Sequence, residues 1–258
     1  SEMRWNTSLF ASKNENKLIS LIDDLDTLVY YQTNSGNVNS QAKVGGGIGD
    51  LYGTVWERDS SGNRMVGADG KPTQSNPDNF LGNAQPDWLA GWSNSFFYKN
   101  FSLNVLIDGR FGGVVYSGDS SRLDSYGVSE RSLQYRESGV VLDAVDPNGA
   151  ANTVNITGQE YWQRIADIAE PYVYAQDNVR LRELAIGYSF PDVSALGMES
   201  VNLQLIGRNL FFINKKAEDI DPEAALGTNL GGQGIALGNL PTLRSIGLNV
   251  TLKSVSYT

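Results

Sequence analysis

Four charged residues stand at polar positions of segments in which apolar and polar residues alternate: Asp108, Arg110, Glu183 and Arg208. Charged side chains that share one face of a sheet could line the path of a substrate, or they could pair with neighbouring strands. No pair of carboxylates stands out as the acid and base of a glycoside hydrolase. The sequence therefore offers candidate contact residues rather than candidate catalytic residues.

The absence of His and Cys limits the chemistry of the 258-residue chain. It removes the usual catalytic triads, most zinc and iron sites, and every disulfide. A net charge of −9 argues against a nucleic-acid backbone as a partner. We therefore expect a protein that is not an enzyme, with no catalytic residue, no metal ligand and no cofactor site.

Among the aromatic residues outside the alternating segments, five are candidates for contact with a ligand or a partner: Trp56, Tyr116, Trp162, Tyr172 and Tyr174. Their rings could stack on sugar rings, or they could pack inside large folded loops. Apolar residues at roughly helical spacing in 129–136 and 159–169 predict short helices in the same loops.

Six segments alternate with period two, and they predict strands at about 3–13, 88–98, 101–115, 178–190, 199–212 and 241–252. In the clearest segment, Leu203 and Leu205 point to one face, whereas Asn202 and Gln204 point to the other. Alternation alone fits any half-buried antiparallel sheet. The length of about ten residues favours strands that cross a membrane at a tilt, because strands in soluble sheets commonly have about five or six.

Two further patterns favour an all-β, antiparallel transmembrane barrel. Aromatic residues gather at the two ends of the predicted strands, with Trp5, Tyr98, Phe101, Tyr188 and Phe190 at one end and Trp88, Trp92, Phe111 and Phe211 at the other. Such girdles are typical of the two membrane–water interfaces. Short connections also alternate with long loops at about 14–87, 116–177 and 213–240, and in outer-membrane barrels the long loops are extracellular.

Six strands cannot close a membrane barrel by themselves, because known barrels of this type begin at about eight strands. An open edge in lipid would leave backbone N–H and C=O groups unpaired, at several kcal/mol each. We therefore expect partner chains or a longer polypeptide to complete the barrel. No stretch of the sequence approaches 18 uncharged apolar residues, so we expect no transmembrane helix, and the first residues show no signal-peptide pattern.

Five segments, in order along the chain, resemble motifs of the SusC/RagA family of TonB-linked outer-membrane proteins. Residues 91–110 (GWSNSFFYKNFSLNVLIDGR) resemble a family hairpin, and residues 177–191 (DNVRLRELAIGYSFP) and 201–211 (VNLQLIGRNLF) resemble two family strands. Residues 219–223 (DIDPE) are similar to a family loop, and residues 240–251 (LPTLRSIGLNVT) are similar to the closing strand. These motifs cover most of the chain outside the loop interiors.

The resemblance implies that the chain is the C-terminal part of a larger barrel of about 22 strands, whose plug domain lies outside these residues. It implies a place in the bacterial outer membrane, in contact with its lipid. A SusD-like surface lipoprotein would close over the extracellular opening, and the TonB complex would supply energy through a missing N-terminal part. Oligosaccharides or peptides would be imported without being cleaved.

The same resemblance assigns directions to the candidate residues. Asp108, Arg110, Glu183 and Arg208 would face the lumen, where they line the substrate path or pair with the plug or neighbouring strands. The loop aromatics would contact substrate or the lipoprotein lid.

The alternative is a soluble β-sandwich that binds carbohydrate through surface aromatic residues. A sandwich would be monodisperse in buffer without detergent, whereas a barrel segment would not.

Overall fold

The alternating segments form extended strands, because only an extended backbone turns successive side chains to opposite faces. A computed structural model describes residues 3–22, 25–191, 193, 197–225, 227, 229 and 231–254. Two 3₁₀ turns lie at Arg131–Leu133 and Glu170–Tyr172. The strands and α-helices, in chain order, are β1 (Met3–Lys13), β2 (Thr27–Gln32), β3 (Val38–Lys43), β4 (Asp50–Gly53), β5 (Asn79–Asn83), β6 (Trp88–Tyr98), β7 (Phe101–Phe111), β8 (Val114–Ser117), α1 (Gly118–Ser125), β9 (Val140–Val141), β10 (Asn155–Ile156), α2 (Gly158–Ile165), β11 (Val173–Ala175), β12 (Asn178–Phe190), β13 (Met198–Lys215), β14 (Ile235–Ala236) and β15 (Ser245–Ser254).

The main sheet has six antiparallel strands in the order β1-β6-β7-β12-β13-β15. The predicted antiparallel all-β class is therefore confirmed. Within the described part of the chain the sheet does not close, since β1 and β15 each pair with one neighbour. No helix among the described residues is both long and apolar enough to cross a membrane.

One face of the main sheet is apolar across the strands. Ile186 of β12, Leu205 of β13 and Leu248 of β15 lie in one cross-strand row. Leu205 is 53% exposed and Leu248 is 67% exposed, so the described residues form no layer that buries them. Burying such side chains in an apolar medium would be favourable by about 25 cal/mol per Å².

Aromatic rings border the apolar face at both ends. Tyr98 pairs with Phe101 across the tight turn at Lys99, whose φ of +50° lets the chain reverse. Tyr188 lies next to Phe101, with 4.6 Å between ring centroids. At the opposite end of the same strands, Trp88 pairs with Phe111. The aromatic residues therefore form two bands with aliphatic residues between them.

Two polar residues interrupt the apolar face, and each accepts a hydrogen bond from the indole N–H of a tryptophan. Thr7 and Asn94 are paired across β1 and β6. The Nε1–H of Trp5 donates to Asn94 Oδ1 at 3.1 Å, and the Nε1–H of Trp92 donates to Thr7 Oγ1 at 2.9 Å. Because each polar group has a local partner, this face is compatible with an apolar environment.

Three strand boundaries differ from the sequence prediction by three residues or more. The predicted strand 101–115 breaks into β7 and β8 at Gly112 and Gly113, whose φ angles of +77° and +80° turn the chain out of the main sheet. Strand β13 extends three residues beyond the predicted end, to Lys215, because β12 continues to pair with it. Strand β15 starts at Ser245 instead of about 241.

The long connections fold together into one packed unit, which we call the loop lobe. Strands β2 to β5 form a four-stranded sheet, and β11, β8 and β14 form a three-stranded sheet. One core combines Leu51 from the first connection, Tyr172 from the second and Ile235 from the third. A second core surrounds Trp56 and Trp162. Shared cores mean that the three connections are ordered by one another.

The helices of the loop lobe agree only in part with the predicted ones. The predicted segment 159–169 contains most of α2, which Thr157 and Glu160 start with a reciprocal capping box. Segment 129–136 forms only the short 3₁₀ turn. Helix α1 has no apolar stripe to reveal it, and it is held by the Ser117 cap and by tertiary contacts.

Candidate functional site

Two arginines and three carboxylates form a network on the polar face of the main sheet. Arg182 donates from Nε to Asp108 Oδ2 at 2.7 Å and from Nη2 to Glu223 Oε1 at 2.7 Å. Arg180 donates to Glu223 Oε2 at 2.9 Å and lies 3.8 Å from Asp221. We call these five residues the arginine network. Charge-assisted hydrogen bonds of this kind are stronger than those between neutral groups.

A β-bulge brings the two arginines to the same face. Strand β12 shifts register between Leu181 and Glu183 against both β7 and β13. Arg182 is the extra residue relative to β7, and its contact with Asp108 shows that it turns toward the polar face with Arg180. Bulges commonly redirect a side chain in this way.

The loop carboxylates reach the sheet from the segment between β13 and β14. The backbone N–H groups of Glu223 and Thr242 donate to Asp221 at 2.9 and 2.8 Å. Burial raises the pKa of Asp221, but these hydrogen bonds and the charge of Arg180 outweigh burial and hold its pKa below the usual value. Asp221 therefore stays ionised and fixes the position of this loop against the sheet.

Arg180 depends on the network because its side chain is only 4% exposed. Its guanidinium carbon also lies 4.4 Å from the centre of the Phe212 ring. A buried cation that loses its carboxylate partners is strongly destabilising.

We expect Glu223→Gln to lower the free energy of unfolding by about 1.5–3 kcal/mol, because an amide cannot supply charge-assisted acceptors to both arginines. The measurement is the guanidinium unfolding midpoint of the full-length protein. The matched control is Glu218→Gln, at an exposed position of the same segment. Equal midpoint shifts for the two variants would contradict a stabilising role of the network.

The structure places the four predicted polar-face residues in three settings. Asp108 belongs to the arginine network. Glu183 and Arg208 pair with each other across β12 and β13, with 2.9 Å between Glu183 Oε2 and Arg208 Nε. Arg110 forms no ion pair within the described part of the chain, and its Nη1 donates to Gln176 Oε1 at 3.3 Å.

Arg110 lines a cavity of about 380 Å³ between the polar face and the loop lobe. The sheet side of the cavity is the cross-strand row formed by Ser12, Leu89 and Arg110. The connections contribute amide side chains, small residues, prolines and Glu223 to the opposite side. A volume of this order is typical of sites for small ligands or ligand parts.

Four of the five predicted contact aromatics are buried inside the loop lobe. Trp56 and Trp162 lie in one core, and Tyr116 and Tyr172 lie in the other. Tyr174 is half-buried in β11. The prediction that these rings contact a sugar or a lid is not supported for the four buried residues, because their faces are occupied by the protein itself.

Arg180, Arg182, Asp221 and Glu223 were not singled out as candidates from the sequence. One signal was present, since the spacing from Leu181 to Leu184 breaks the period of two and marks the bulge. The partners of the arginines could not be identified because Glu223 is 41 residues from Arg182 in sequence. Among the described residues, no group of three acidic side chains is arranged to hold a metal ion.

The sequence relatives of this chain are TonB-dependent receptors. No family model matches the chain. TonB-dependent receptor P3 of Formosa agariphila is 25% identical over 98% of this chain, and TonB-dependent receptor P26 of the same organism is 28% identical over 96%. The chain spans only 27% of the length of each of these relatives.

Solved structures with the same fold include the RagAB peptide transporter, with a TM-score of 0.60 and 18% identity. That match covers 96% of this chain and 27% of the solved chain. The RagAB peptide importer in its "open-open" state also has a TM-score of 0.60, with 16% identity and coverage of 98% and 27%.

Proposed function

We propose that this chain forms part of the barrel of an active outer-membrane importer of the SusC/RagA type, because it is similar in sequence to two TonB-dependent receptors and shares its fold with the RagAB transporter. The observation that carries the proposal is the exposed apolar face of a six-stranded sheet, bordered by aromatic rings at both ends. A face of this kind is stable against lipid. Further strands would continue the sheet from β1 and β15.

In this proposal the loop lobe is extracellular and the arginine network and Arg110 face the lumen. A SusD-like lipoprotein covers the loop lobe, and the TonB complex drives transport through a plug domain. The substrate is an oligosaccharide or a peptide. A peptide is supported by the two RagAB structures with the same fold, which are those of a peptide transporter and a peptide importer. The substrate passes without cleavage, so the protein acts as a transporter rather than an enzyme.

The alternative of a soluble carbohydrate-binding β-sandwich is not favoured. A sandwich packs the apolar faces of two sheets together at about 10 Å. Here Leu205 and Leu248 stay exposed on the main sheet, and the loop lobe contacts the opposite, polar face. Four of the aromatics that a sandwich would use for sugar are buried.

The proposal predicts TonB-dependent uptake. Cells that carry the full-length protein are supplied with a mixture of oligosaccharides and peptides, and depletion of each compound is followed by mass spectrometry. We expect uptake to be lost on deletion of TonB and to fall strongly on deletion of the partner lipoprotein. Entry of a small sugar through porins is the control, because it needs neither protein. Uptake that is unchanged without TonB would refute the proposed function.

A further inference from the structure

We propose that Arg110 binds a carboxylate group of the transported molecule in the cavity between the polar face and the loop lobe. This inference rests on the proposed function, and it adds a chemical class to the substrate. A carboxylate can come from a peptide or from a uronic acid unit of an oligosaccharide, and both present the same group to a guanidinium.

Arg110 differs from Arg180, Arg182 and Arg208 in having no carboxylate partner. Arg180 and Arg182 pair with Glu223, and Arg208 pairs with Glu183. Arg110 forms no ion pair in the described ranges, and its side-chain bond is the one to Gln176. A guanidinium has five N–H donors in a planar fork, so most of its donors are free to bind a ligand.

Gln176 holds Arg110 in place. Its side chain is buried, and its Nε2 donates to the Val114 carbonyl at 2.9 Å. Because only the nitrogen of the amide can donate to that carbonyl, Oε1 must face Arg110. The backbone of Gln176 is fixed as well, since its N–H donates to Gly113 and its carbonyl accepts from Asn178 Nδ2. Gln176 is thus a positioning residue with a single orientation.

Among the residues that line the cavity, Arg110 carries the positive charge. Glu223, which also lines the cavity, forms ion pairs with both Arg180 and Arg182. Asn14, Gln85 and Gln233 provide neutral amide groups. An anionic group that enters the cavity therefore meets a guanidinium without an ion pair, neutral amide groups and a carboxylate that two arginines already hold. Guanidinium and carboxylate can form two parallel hydrogen bonds, which selects carboxylate by geometry as well as charge.

The test uses purified full-length protein and a mixed set of ligands in two arms. One arm contains peptides with a free C-terminal carboxylate and without acidic side chains, together with their C-terminal amides. The other arm contains oligouronates and their neutral counterparts. Ligands retained by the protein are quantified by mass spectrometry. We expect retention of the carboxylate form to exceed that of its neutral counterpart by about tenfold or more in one arm, and that arm identifies the source.

Arg110→Gln should bring this ratio close to one. Gln176→Glu should lower it too, because a carboxylate in contact with Arg110 occupies the guanidinium, whereas a purely structural defect would weaken acid and neutral ligands equally. Arg136→Gln, which removes the same charge from the loop lobe, should leave the ratio unchanged. A wild-type ratio near one in both arms, or a ratio that survives Arg110→Gln, would overturn the inference.

The two proposals fail in different ways. TonB-dependent uptake without any preference for carboxylates would leave the importer in place and remove the role of Arg110. Carboxylate retention that depends on Arg110, without TonB-dependent uptake, would leave the site in place and remove the transport function.

Discussion

Leu205→Arg is expected to lower the free energy of unfolding of the lipid-embedded protein by about 2–4 kcal/mol. Leu205 lies in the middle of the apolar face, between Ile186 and Leu248 in the cross-strand register. An arginine there must either place its charge in hydrocarbon or distort the bilayer around it, and both are costly. Leu248→Arg, in the next strand of the same row, should have a similar effect.

The matched control is Gln204→Arg, which adds the same side chain one residue away on the polar face. Gln204 pairs with Gly187 and Asn249, so the new charge meets small and polar neighbours. The measurement is guanidinium unfolding of the full-length protein in lipid vesicles, followed by tryptophan fluorescence. Similar costs at Leu205 and Gln204 would show that the apolar face does not contact lipid.

Asp124→Ala is expected to destabilise the loop lobe by about 3–5 kcal/mol, because it removes a buried carboxylate that three side chains share as their acceptor. The Asp124 side chain has 0% exposure. It accepts hydrogen bonds from Arg131 Nε at 2.9 Å, Ser129 Oγ at 2.6 Å and Tyr172 Oη at 2.8 Å. Without the carboxylate, the arginine and two hydroxyl groups lose their acceptor together.

Tyr172 links this cluster to the core of the loop lobe. Burial and the nearby charge of Asp124 raise the pKa of the Tyr172 hydroxyl well above its ordinary value, so it stays protonated and donates to Asp124. Tyr172 also packs with Leu51 and Ile235, which come from the other two connections. Loss of Asp124 should therefore loosen all three connections.

Hydrogen exchange of the loop lobe in the full-length protein measures this effect, because lower local stability gives faster exchange of protected amides. Asp167→Ala is the control, since Asp167 forms a 3.5 Å ion pair with Arg164 but is 59% exposed. Exposed ion pairs contribute about 0–1 kcal/mol. Exchange that is as slow in Asp124→Ala as in Asp167→Ala would show that the buried cluster does not hold the lobe together.

The sequence by itself determined the six strands of the main sheet and the faces of their side chains. Period-two alternation requires an extended backbone, and a one-residue error would move every leucine of 201–205 to the polar face. The sequence also predicted the aromatic residues at the strand ends, because the position of a residue along a strand follows directly from its number. The sequence motifs also pointed to the same relatives as the later comparisons.

Only the tertiary structure decided what the long connections do. The sequence left open whether Trp56 and Tyr172 contact a ligand or pack inside the loops, and cores assembled from separate connections bury them. The burial of a loop residue depends on neighbours that are distant in sequence, and the residue pattern around it carries no trace of them.

Single residues of the candidate site also depend on the tertiary structure. The alternation predicted that Asp108, Arg110, Glu183 and Arg208 lie on the polar face, but it did not distinguish residues with an ion-pair partner from residues without one. The bulge turns Arg182 toward Asp108 and Glu223, which both accept hydrogen bonds from it, whereas Glu183 pairs with Arg208. Arg110 is left facing a cavity because charge pairing is a property of distances in space, which local spacing along a strand does not fix.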